Sequence, residues 1–368
     1  MDKSSVLITA TALFVLMMAK PGQADITIAV VGPMTGPTAA FGEQMRRGAE
    51  AAVRDINKAG GVLGQRIKLE IGDDACDARQ AVAVANQMVN KRVALIAGHF
   101  CSGSSIPASD VYHEEGLLQI SPGSTNPQLT DRGYNTVFRT CGRDDQQGKV
   151  AGNYLVAHFK DKKIAIVHDQ QAYSKGLADE TKKALNAAGV TEILYETLTP
   201  GEKDYSALVT KLKTVGTEMV FYGGYPHEAG LIVRQMRDQG MKTVLMGGDA
   251  LVAQEFWQIT GPAGEGTLMT FSPDPRKIPG NAELVARFHK EGYDPEAYTF
   301  YTYGTIQTWK QAVEKVASTD VKAVVGALRQ HTFDTVLGPI RFDAKGDITE
   351  SAYVVYKWSN GTYDYVQP

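Results

Sequence analysis

Short apolar runs alternate with helix-like segments along most of the chain. The first run, residues 26–31, leads into a helical pattern over residues 41–59, where apolar or small side chains recur at helical spacing until Gly60 and Gly61 end it. The same alternation continues as far as about residue 143. Strands that alternate with helices predict an α/β fold, in which right-handed crossovers connect the strands of a parallel sheet.

A second series of the same kind begins near Asp144, so the chain divides into two similar α/β halves without a strict sequence repeat. Residues 272–277 are predicted to cross between the halves, and the pattern leaves open to which half the last strands, 339–343 and 351–359, return. The other predicted strands are residues 26–31, 66–71, 93–97, 117–120, 163–168, 192–197, 218–222, 243–246 and 266–271. The predicted helices are residues 41–59, 79–90, 104–115, 147–159, 174–188, 205–215, 228–239, 282–291, 298–317 and 321–330.

Small and hydroxyl-bearing residues follow two strands of the first half, in the stretches 98–105 and 121–127. Ligands of open parallel sheets bind beyond the carboxyl ends of the strands, where both stretches lie. A strand that turns directly into a helix leaves free backbone N–H groups, and these groups with the helix dipole favour an anion such as a carboxylate. Taken alone, the first stretch is better explained as an ordinary βα loop with a good helix cap, and the rest of the chain is what favours a ligand site.

The candidate ligand contacts combine an anion site in one half with an acid in the other. The hydroxyls of Ser102 and Thr125 suit a carboxylate, and Asp249 suits an ammonium group. This combination predicts an α-amino acid held in a hinged cleft. Core packing of the aromatic residues and a helix-cap role for Asp249 are the alternatives. Three aromatic residues are predicted to wall off an apolar ligand side chain: Phe41, Tyr173 and Tyr225.

The first 24 residues are predicted to be a secretory signal peptide that is cleaved after Ala24. Lys3, an uncharged and mostly apolar run over residues 6–19, and small residues before the cleavage point are typical of such signals. A retained membrane anchor is the alternative, although the run is short for a membrane span. We therefore expect a periplasmic protein that is soluble after cleavage.

Composition and cysteine content narrow the function further. Hydrophobic residues make up 43% of the chain, enough for the cores of two domains, and the formal net charge of −3 argues against a nucleic-acid surface. An exported protein is expected to pair two of its three cysteines, and the residues alone do not decide which two. Cys76 and Cys101 each follow a predicted strand, and neighbouring strands would bring them together. Cys141 would then be left buried and inert.

Seven stretches carry a family resemblance: Ile-Ala-Val-Val-Gly-Pro-Met-Thr-Gly-Pro (28–37), Asp-Asp-Ala-Cys-Asp (73–77), Gln-Ala-Val-Ala-Val-Ala-Asn (80–86), Gly-His-Phe-Cys-Ser (98–102), Ala-Ile-Val-His-Asp (165–169), Pro-Gly-Glu-Lys-Asp (200–204) and Tyr-Gly-Gly-Tyr (222–225). They closely resemble the periplasmic leucine/isoleucine/valine-binding proteins of ABC transporters, and the resemblance covers essentially the whole chain after the signal peptide. It implies a type I periplasmic-binding-protein fold, in which two lobes, each a parallel sheet flanked by helices, are joined by three crossings around a hinged cleft. It further implies a disulfide between Cys76 and Cys101. The implied N-terminal lobe comprises residues 25–144 and 274–352, and the C-terminal lobe comprises 145–273 and 353–368.

The resemblance also implies roles for the site residues. Asp249 stands where the best-matched family members have Glu, and Phe41 stands where Tyr is common. Gly123 replaces a small Ala, a change that is expected to matter little. These departures leave the preferred side chain open among leucine, alanine, threonine and phenylalanine. The first-lobe contacts to the amino acid are expected to be Ser102, Gly123, Ser124 and Thr125, and the second-lobe contacts Tyr173, Tyr225 and Asp249.

The function implied by the resemblance is capture of branched-chain or other aliphatic L-amino acids and their delivery to an ABC transporter permease. We expect a monomer without cofactor, metal or nucleic-acid partner. An enzyme is the first alternative, but the chain lacks the Gly-x-Ser-x-Gly, His-Glu-x-x-His and Gly-x-Gly-x-x-Gly motifs, and His99 and His168 are predicted to be structural. Two further alternatives are a sensor and a binder of aromatic acids or amides for transport or sensing. Aromatic acids and amides lack an ammonium group, so a protein that binds them would have no use for Asp249.

Overall fold

The computed structural model describes residues 24–366, so the predicted signal peptide lies, apart from Ala24, outside the described residues. No described helix is both long and apolar enough to cross a membrane. The strands are β1 (Ile26–Gly32), β2 (Ile67–Asp73), β3 (Ile96–Gly98), β4 (Gln119–Ser121), β5 (Val137–Arg139), β6 (Ile164–His168), β7 (Leu194–Thr197), β8 (Met219–Gly223), β9 (Val244–Gly247), β10 (Leu268–Phe271), β11 (Phe333–Thr335), β12 (Gly338–Ile340), β13 (Val354–Ser359) and β14 (Thr362–Tyr365). The α-helices are α1 (Ala39–Lys58), α2 (Ala78–Asn90), α3 (Ser102–Glu114), α4 (Gln128–Asp131), α5 (Asp144–Phe159), α6 (Ala172–Ala187), α7 (Ser206–Val215), α8 (Pro226–Asp238), α9 (Gln254–Thr260), α10 (Ala282–Lys290), α11 (Ala297–Val316) and α12 (Val321–Gln330).

Five parallel strands form the first sheet, in the order β2-β1-β3-β4-β5. Successive residues of its interior strand β1 face two separate apolar cores. Ile28 and Val30 belong to one core, and Ala29 and Val31 belong to the other. Both faces of the strand are therefore buried, which explains why its sequence is a continuous apolar run rather than an alternating one.

The second sheet holds seven strands in the order β14-β13-β10-β9-β8-β6-β7. Its strands from β6 to β10 pair in parallel, whereas β13 runs antiparallel to β10 and β14 runs antiparallel to β13. The last two strands thus extend the second sheet, which settles the point that the hydrophobic pattern left open. β11 and β12 form a separate two-stranded sheet.

The described chain passes between the two sheets three times. It leaves the first sheet after β5 and the second sheet after β10, and helix α11 then packs on α1 beside the first sheet. Residues 341–353 lead back to β13 in the second sheet. This arrangement confirms the predicted α/β architecture with two lobes and three crossings.

Several short elements were missed by the sequence pattern. β5 has three residues and ends on Arg139, whose charge masks an otherwise apolar run. Helices α4 and α9 and strand β14 have four to seven residues, too few for a helical or strand period to emerge. The strand predicted over residues 351–359 begins at Val354, because the residues before it belong to the third crossing.

Candidate functional site

A small cavity lies between the carboxyl ends of strands from the two sheets. It is lined from the first half by residues that follow β3 and β4, and from the second half by residues that follow β6, β8 and β9. Five of the eight residues predicted from the sequence take part in the lining, whereas Phe41, Ser124 and Thr125 do not. The lining residues are Phe100, Ser102, Gly123, Tyr173, Tyr225, Asp249 and Ala250.

Asp249 follows β9 and places its carboxylate between the two halves. Tyr173 donates a hydrogen bond to Oδ1 at 2.8 Å, and Tyr298 donates one to Oδ2 at 2.5 Å. Burial raises the pKa of Asp249 above its ordinary range, although the tyrosine hydrogen bonds act in the opposite direction. Asp249 forms no salt bridge within the described part of the chain, so its carboxylate would be stabilised by a ligand that brings a positive charge.

Ser102 lines the cavity from the first half, and Thr125 lies in the neighbouring loop after β4 without lining the cavity. Ser102 begins helix α3, so the free N–H groups of the helix start lie beside its hydroxyl. The same hydroxyl accepts a hydrogen bond from the backbone N–H of Asn126 at 3.2 Å, which ties α3 to the loop after β4. Thr125 is 1% exposed, and its Oγ1 has no hydrogen-bond partner among residues 24–366. A buried hydroxyl of this kind is available to a ligand or to an ordered water.

The side chain of Ser124 points into the interior of the first α/β half. Its hydroxyl donates a hydrogen bond to the carbonyl oxygen of Phe100 at 2.8 Å and lies 2.6 Å from the hydroxyl of Ser105. The fold therefore already uses this hydroxyl, and a ligand contact from Ser124 is left to its backbone.

Aromatic rings close the apolar side of the cavity. Phe41 stacks on Phe100 with ring centroids 4.3 Å apart, and Tyr298 stands edge-on to Phe100 at 4.7 Å. On the other side, the rings of Tyr173 and Tyr225 are 5.3 Å apart. Sequence reasoning missed Phe100 and Tyr298. Phe100 had a signal, because it lies in the first hydroxyl-rich stretch, whereas Tyr298 had none, because α11 reaches the site from a distant part of the chain.

Gly123 lies directly against the ring of Phe100. A Cβ atom at this position would lie 2.5 Å from the ring, so an alanine would force the ring to move. This contact argues against the expectation that glycine in place of alanine matters little, and that expectation stays a prediction. Glycine lets the Phe100 ring lie over the loop, where it takes up space at the edge of the cavity.

Asp144 is a second buried acid near the site, and sequence reasoning did not assign it there. It is the first residue of α5, it is fully buried, and neither of its carboxylate oxygens has a hydrogen-bond partner in the described residues. Burial, and then the nearby charge of Asp249, raise the pKa of Asp144 well above its ordinary range. Its backbone N–H donates to the carbonyl oxygen of Thr125 at 2.9 Å, which places it behind the loop after β4.

Cys76 and Cys101 form the disulfide implied by the family resemblance, with Cα atoms 5.6 Å apart. The bond joins the residues after β2 to the start of α3, and the sulfur of Cys76 lies 3.9 Å from the hydroxyl of Tyr225 in the second half. Cys141 is free and buried, as expected, and burial raises the pKa of its thiol.

The chain matches the family model of periplasmic binding proteins over residues 25–362. A relative from Brucella melitensis biotype 1, named Leu/Ile/Val-binding protein homolog 1, is 51% identical over 348 residues, which cover 94% of this chain and 94% of the relative. The crystal structure of the leucine binding protein LivK from Thermotoga maritima is similar with a TM-score of 0.85 at 26% identity, covering 93% of this chain and 98% of that one. The branched-chain amino acid transporter substrate binding protein LivJ from Streptococcus pneumoniae, solved in complex with isoleucine, gives a TM-score of 0.83 at 25% identity, covering 94% and 100%.

Proposed function

This chain belongs to the periplasmic binding protein family, and we propose that it captures a branched-chain or other aliphatic L-amino acid and delivers it to the membrane permease of an ABC transporter. The names of its relatives support this class of ligand, since one is a Leu/Ile/Val-binding protein and another was solved with isoleucine. The protein is proposed to act in the periplasm as a monomer, after removal of the signal peptide.

Asp249 and Ser102 line one cavity from opposite halves, and this arrangement carries the proposal. The start of α3 suits a carboxylate, and Asp249 suits an ammonium group, so an α-amino acid would bridge the two halves. Each hydrogen bond to a charged group contributes about 1.5–3 kcal/mol. An aromatic acid or amide lacks the ammonium group, so it would leave the buried carboxylate of Asp249 without a cation.

The aromatic rings around the cavity support a particular class of ligand side chain. Phe100, Tyr173 and Tyr225 line the cavity, and Phe41 supports Phe100 from behind. Contact with these rings favours an aliphatic side chain, because burial of apolar area contributes about 25 cal/mol per Å².

Closure of the two lobes over the ligand is proposed as the signal for transport. The lobes are assigned as residues 25–144 with 274–352 and residues 145–273 with 353–368. They already touch in this structure, because the side chain of Asn126 donates a hydrogen bond to the carbonyl oxygen of Ala172 at 2.6 Å. A ligand favours the closed form only through contacts that the open form lacks, and bridging by Asp249 and Ser102 supplies such contacts.

Binding without catalysis is proposed for this site. His99 has a possible relay, since its Nδ1 lies 2.6 Å from Asp74 Oδ2 and its Nε2 lies 2.9 Å from the Tyr112 hydroxyl. All three residues are completely buried, so a substrate cannot reach them. The relay is better explained as a hydrogen-bonded part of the core.

Calorimetric titration of the ligand-stripped protein, without its signal peptide, tests the proposal. The ligands are L-leucine, L-isoleucine, L-valine, L-alanine and L-phenylalanine, with benzoate as the control that lacks an ammonium group. The proposal predicts tight binding of the aliphatic amino acids and no binding of benzoate. Binding of benzoate alone would replace the proposal with an aromatic-acid binder.

A further inference from the structure

The buried side chain of Arg139 binds two carbonyl groups in the backbone of the loop after β4. Arg139 Nη1 donates hydrogen bonds to the carbonyl oxygens of Ser124 at 2.7 Å and of Asn126 at 3.0 Å. These carbonyl groups flank Thr125, whose own carbonyl oxygen accepts the backbone N–H of Asp144. Three successive carbonyl groups of the loop are thus fixed, and the unpartnered hydroxyl of Thr125 is held in one place.

The guanidinium group of Arg139 is fully buried, and it donates four hydrogen bonds. Its Nε donates to Asp347 Oδ1 at 2.6 Å, and its Nη2 donates to the hydroxyl of Thr130 at 2.6 Å. A planar guanidinium presents five N–H donors in a fixed geometry, which a lysine ammonium group cannot reproduce. A buried charge of this kind is tolerated only with its counter-ion, so Asp347 is needed to keep Arg139 in place.

Asp347 also connects this residue to the crossings between the lobes. Its Oδ2 accepts a hydrogen bond from Arg143 Nη1 at 2.7 Å, and Arg143 lies in the first crossing. Asp347 itself lies in the turn that leads into the third crossing, and the neighbouring Gly346 accepts the backbone N–H of Arg139 at 3.0 Å. The loop at the cavity and two of the three crossings therefore share one buried ion-pair network.

We propose that Arg139 is a positioning residue for the ligand carboxylate, and that Asp347 holds it in the required orientation. Arg139 does not line the cavity, and it acts by fixing the carbonyl groups of Ser124 and Asn126. The inference rests on the proposed function, because it concerns the affinity of the same amino-acid site. According to this inference, Arg139 lies outside the site but affects the affinity for the ligand, and not only the stability of the protein.

Arg143 offers a matched control within the same network. It binds the same carboxylate of Asp347 and is largely buried, with 11% of its side chain exposed, but it donates no hydrogen bond to the carbonyl groups of residues 124–126. Arg139→Lys and Arg143→Lys both weaken the network and keep its charge, and only Arg139→Lys releases the loop.

The test compares the affinity for L-leucine with the free energy of unfolding in wild type, Arg139→Lys and Arg143→Lys, at a temperature where circular dichroism shows all three to be folded. Both variants are expected to lose stability. Calorimetry is expected to show at least about tenfold weaker binding in Arg139→Lys and a change within about twofold in Arg143→Lys. Equal affinities in wild type and Arg139→Lys, or equal losses in both variants, would overturn the inference. Absence of L-leucine binding in the wild type would instead count against the proposed function.

If Arg139→Lys does not fold, the variant Asp347→Asn tests the inference instead. This variant keeps Arg139 but removes the charge that orients it, and we expect at least about threefold weaker binding of L-leucine. Unchanged affinity in folded Asp347→Asn would overturn the inference.

Discussion

The carboxylate of Asp249 and the hydroxyl of Tyr298 lie 2.5 Å apart, although the two residues reach the cavity from different halves. Asp249 follows a strand of the second sheet, and Tyr298 belongs to α11, which packs beside the first sheet. Tyr173 holds the other oxygen of the same carboxylate. The acid that is proposed to bind the ligand ammonium group is thus oriented by hydroxyls from both halves.

Loss of the charge at this position should weaken amino-acid binding. Asp249→Asn keeps the shape of the side chain but removes one charged hydrogen bond, so the affinity for L-leucine should fall at least about tenfold. Calorimetry measures the affinity, and circular dichroism checks the fold. Asp204→Asn, at an acid in an exposed loop, is the control and should bind as the wild type does. An unchanged affinity of Asp249→Asn would contradict the ammonium role.

At neutral pH, the protein should be less stable with the buried acid Asp144 than with an asparagine at this position. Its pKa is raised in the folded state, mainly by burial, so its favourable contribution is complete below the unfolded pKa near 4 and is lost as the pH rises through the folded pKa. Asp144→Asn cannot ionise, and we expect it to raise the free energy of unfolding by about 1–3 kcal/mol near neutral pH and by little near pH 4.

The neighbouring residue Asp145 is the control, because its pKa is shifted in the opposite direction. Burial alone would raise its pKa, but the hydrogen bond and charge of Arg143 outweigh burial and hold the pKa below its ordinary range. Its contribution is present above the unfolded pKa and is lost as the pH falls through the folded pKa. Asp145→Asn should therefore destabilise the protein at neutral pH and have little effect at strongly acidic pH. Urea unfolding with the same sign for both variants would contradict these assignments.

The contact between Gly123 and Phe100 should limit the residues tolerated at both positions. Gly123→Ala places a methyl group against the ring, and overpacking of this kind costs about 1–3 kcal/mol, so the affinity for L-leucine should fall about fivefold or more. Adding Phe100→Leu removes the ring and should restore part of the loss. A double variant that binds no better than Gly123→Ala would show that the ring is not the obstacle.

The disulfide between Cys76 and Cys101 should stabilise the first half. It spans 25 residues of sequence, and closing a loop of that size in the unfolded chain contributes about 3 kcal/mol. The double variant Cys76→Ser/Cys101→Ser should lose about this much in free energy of unfolding. Cys141→Ala, at the free buried cysteine, is the control that leaves the disulfide intact, and an equal loss of stability there would argue against a specific role of the bond.

Much of the fold followed from the sequence because several interior strands, such as β1, β6 and β8, are almost entirely buried and read as apolar runs. The strands also located the site, since Ser102, Tyr173, Tyr225 and Asp249 all come soon after strands whose carboxyl ends face one cleft. β5 was missed because it has only three residues and ends on a charged residue, Arg139.

The remaining parts of the site depend on contacts that no local pattern encodes. Tyr298 meets Asp249 from 49 residues away, and Arg139 meets Asp347 from 208 residues away. The hydroxyl of Ser124 looked available from its residue type, but the hydroxyl of Ser105 in α3 and the carbonyl oxygen of Phe100 after β3 already bind it within the core. Composition and periodicity predict the helices and strands, whereas these side-chain contacts form only after the sheets have formed.

Recognition of both charged groups of one amino acid is the central claim, and three ligands of nearly equal size test it most directly. L-leucine carries both groups, 4-methylpentanoate lacks the ammonium group, and 3-methylbutylamine lacks the carboxylate. Calorimetric titration of the ligand-stripped protein should show that L-leucine binds at least about tenfold more tightly than either of the others, since each lacks one set of charged hydrogen bonds. Binding of 4-methylpentanoate as tightly as L-leucine would show that Asp249 does not contact the ligand ammonium group, and the account would be wrong.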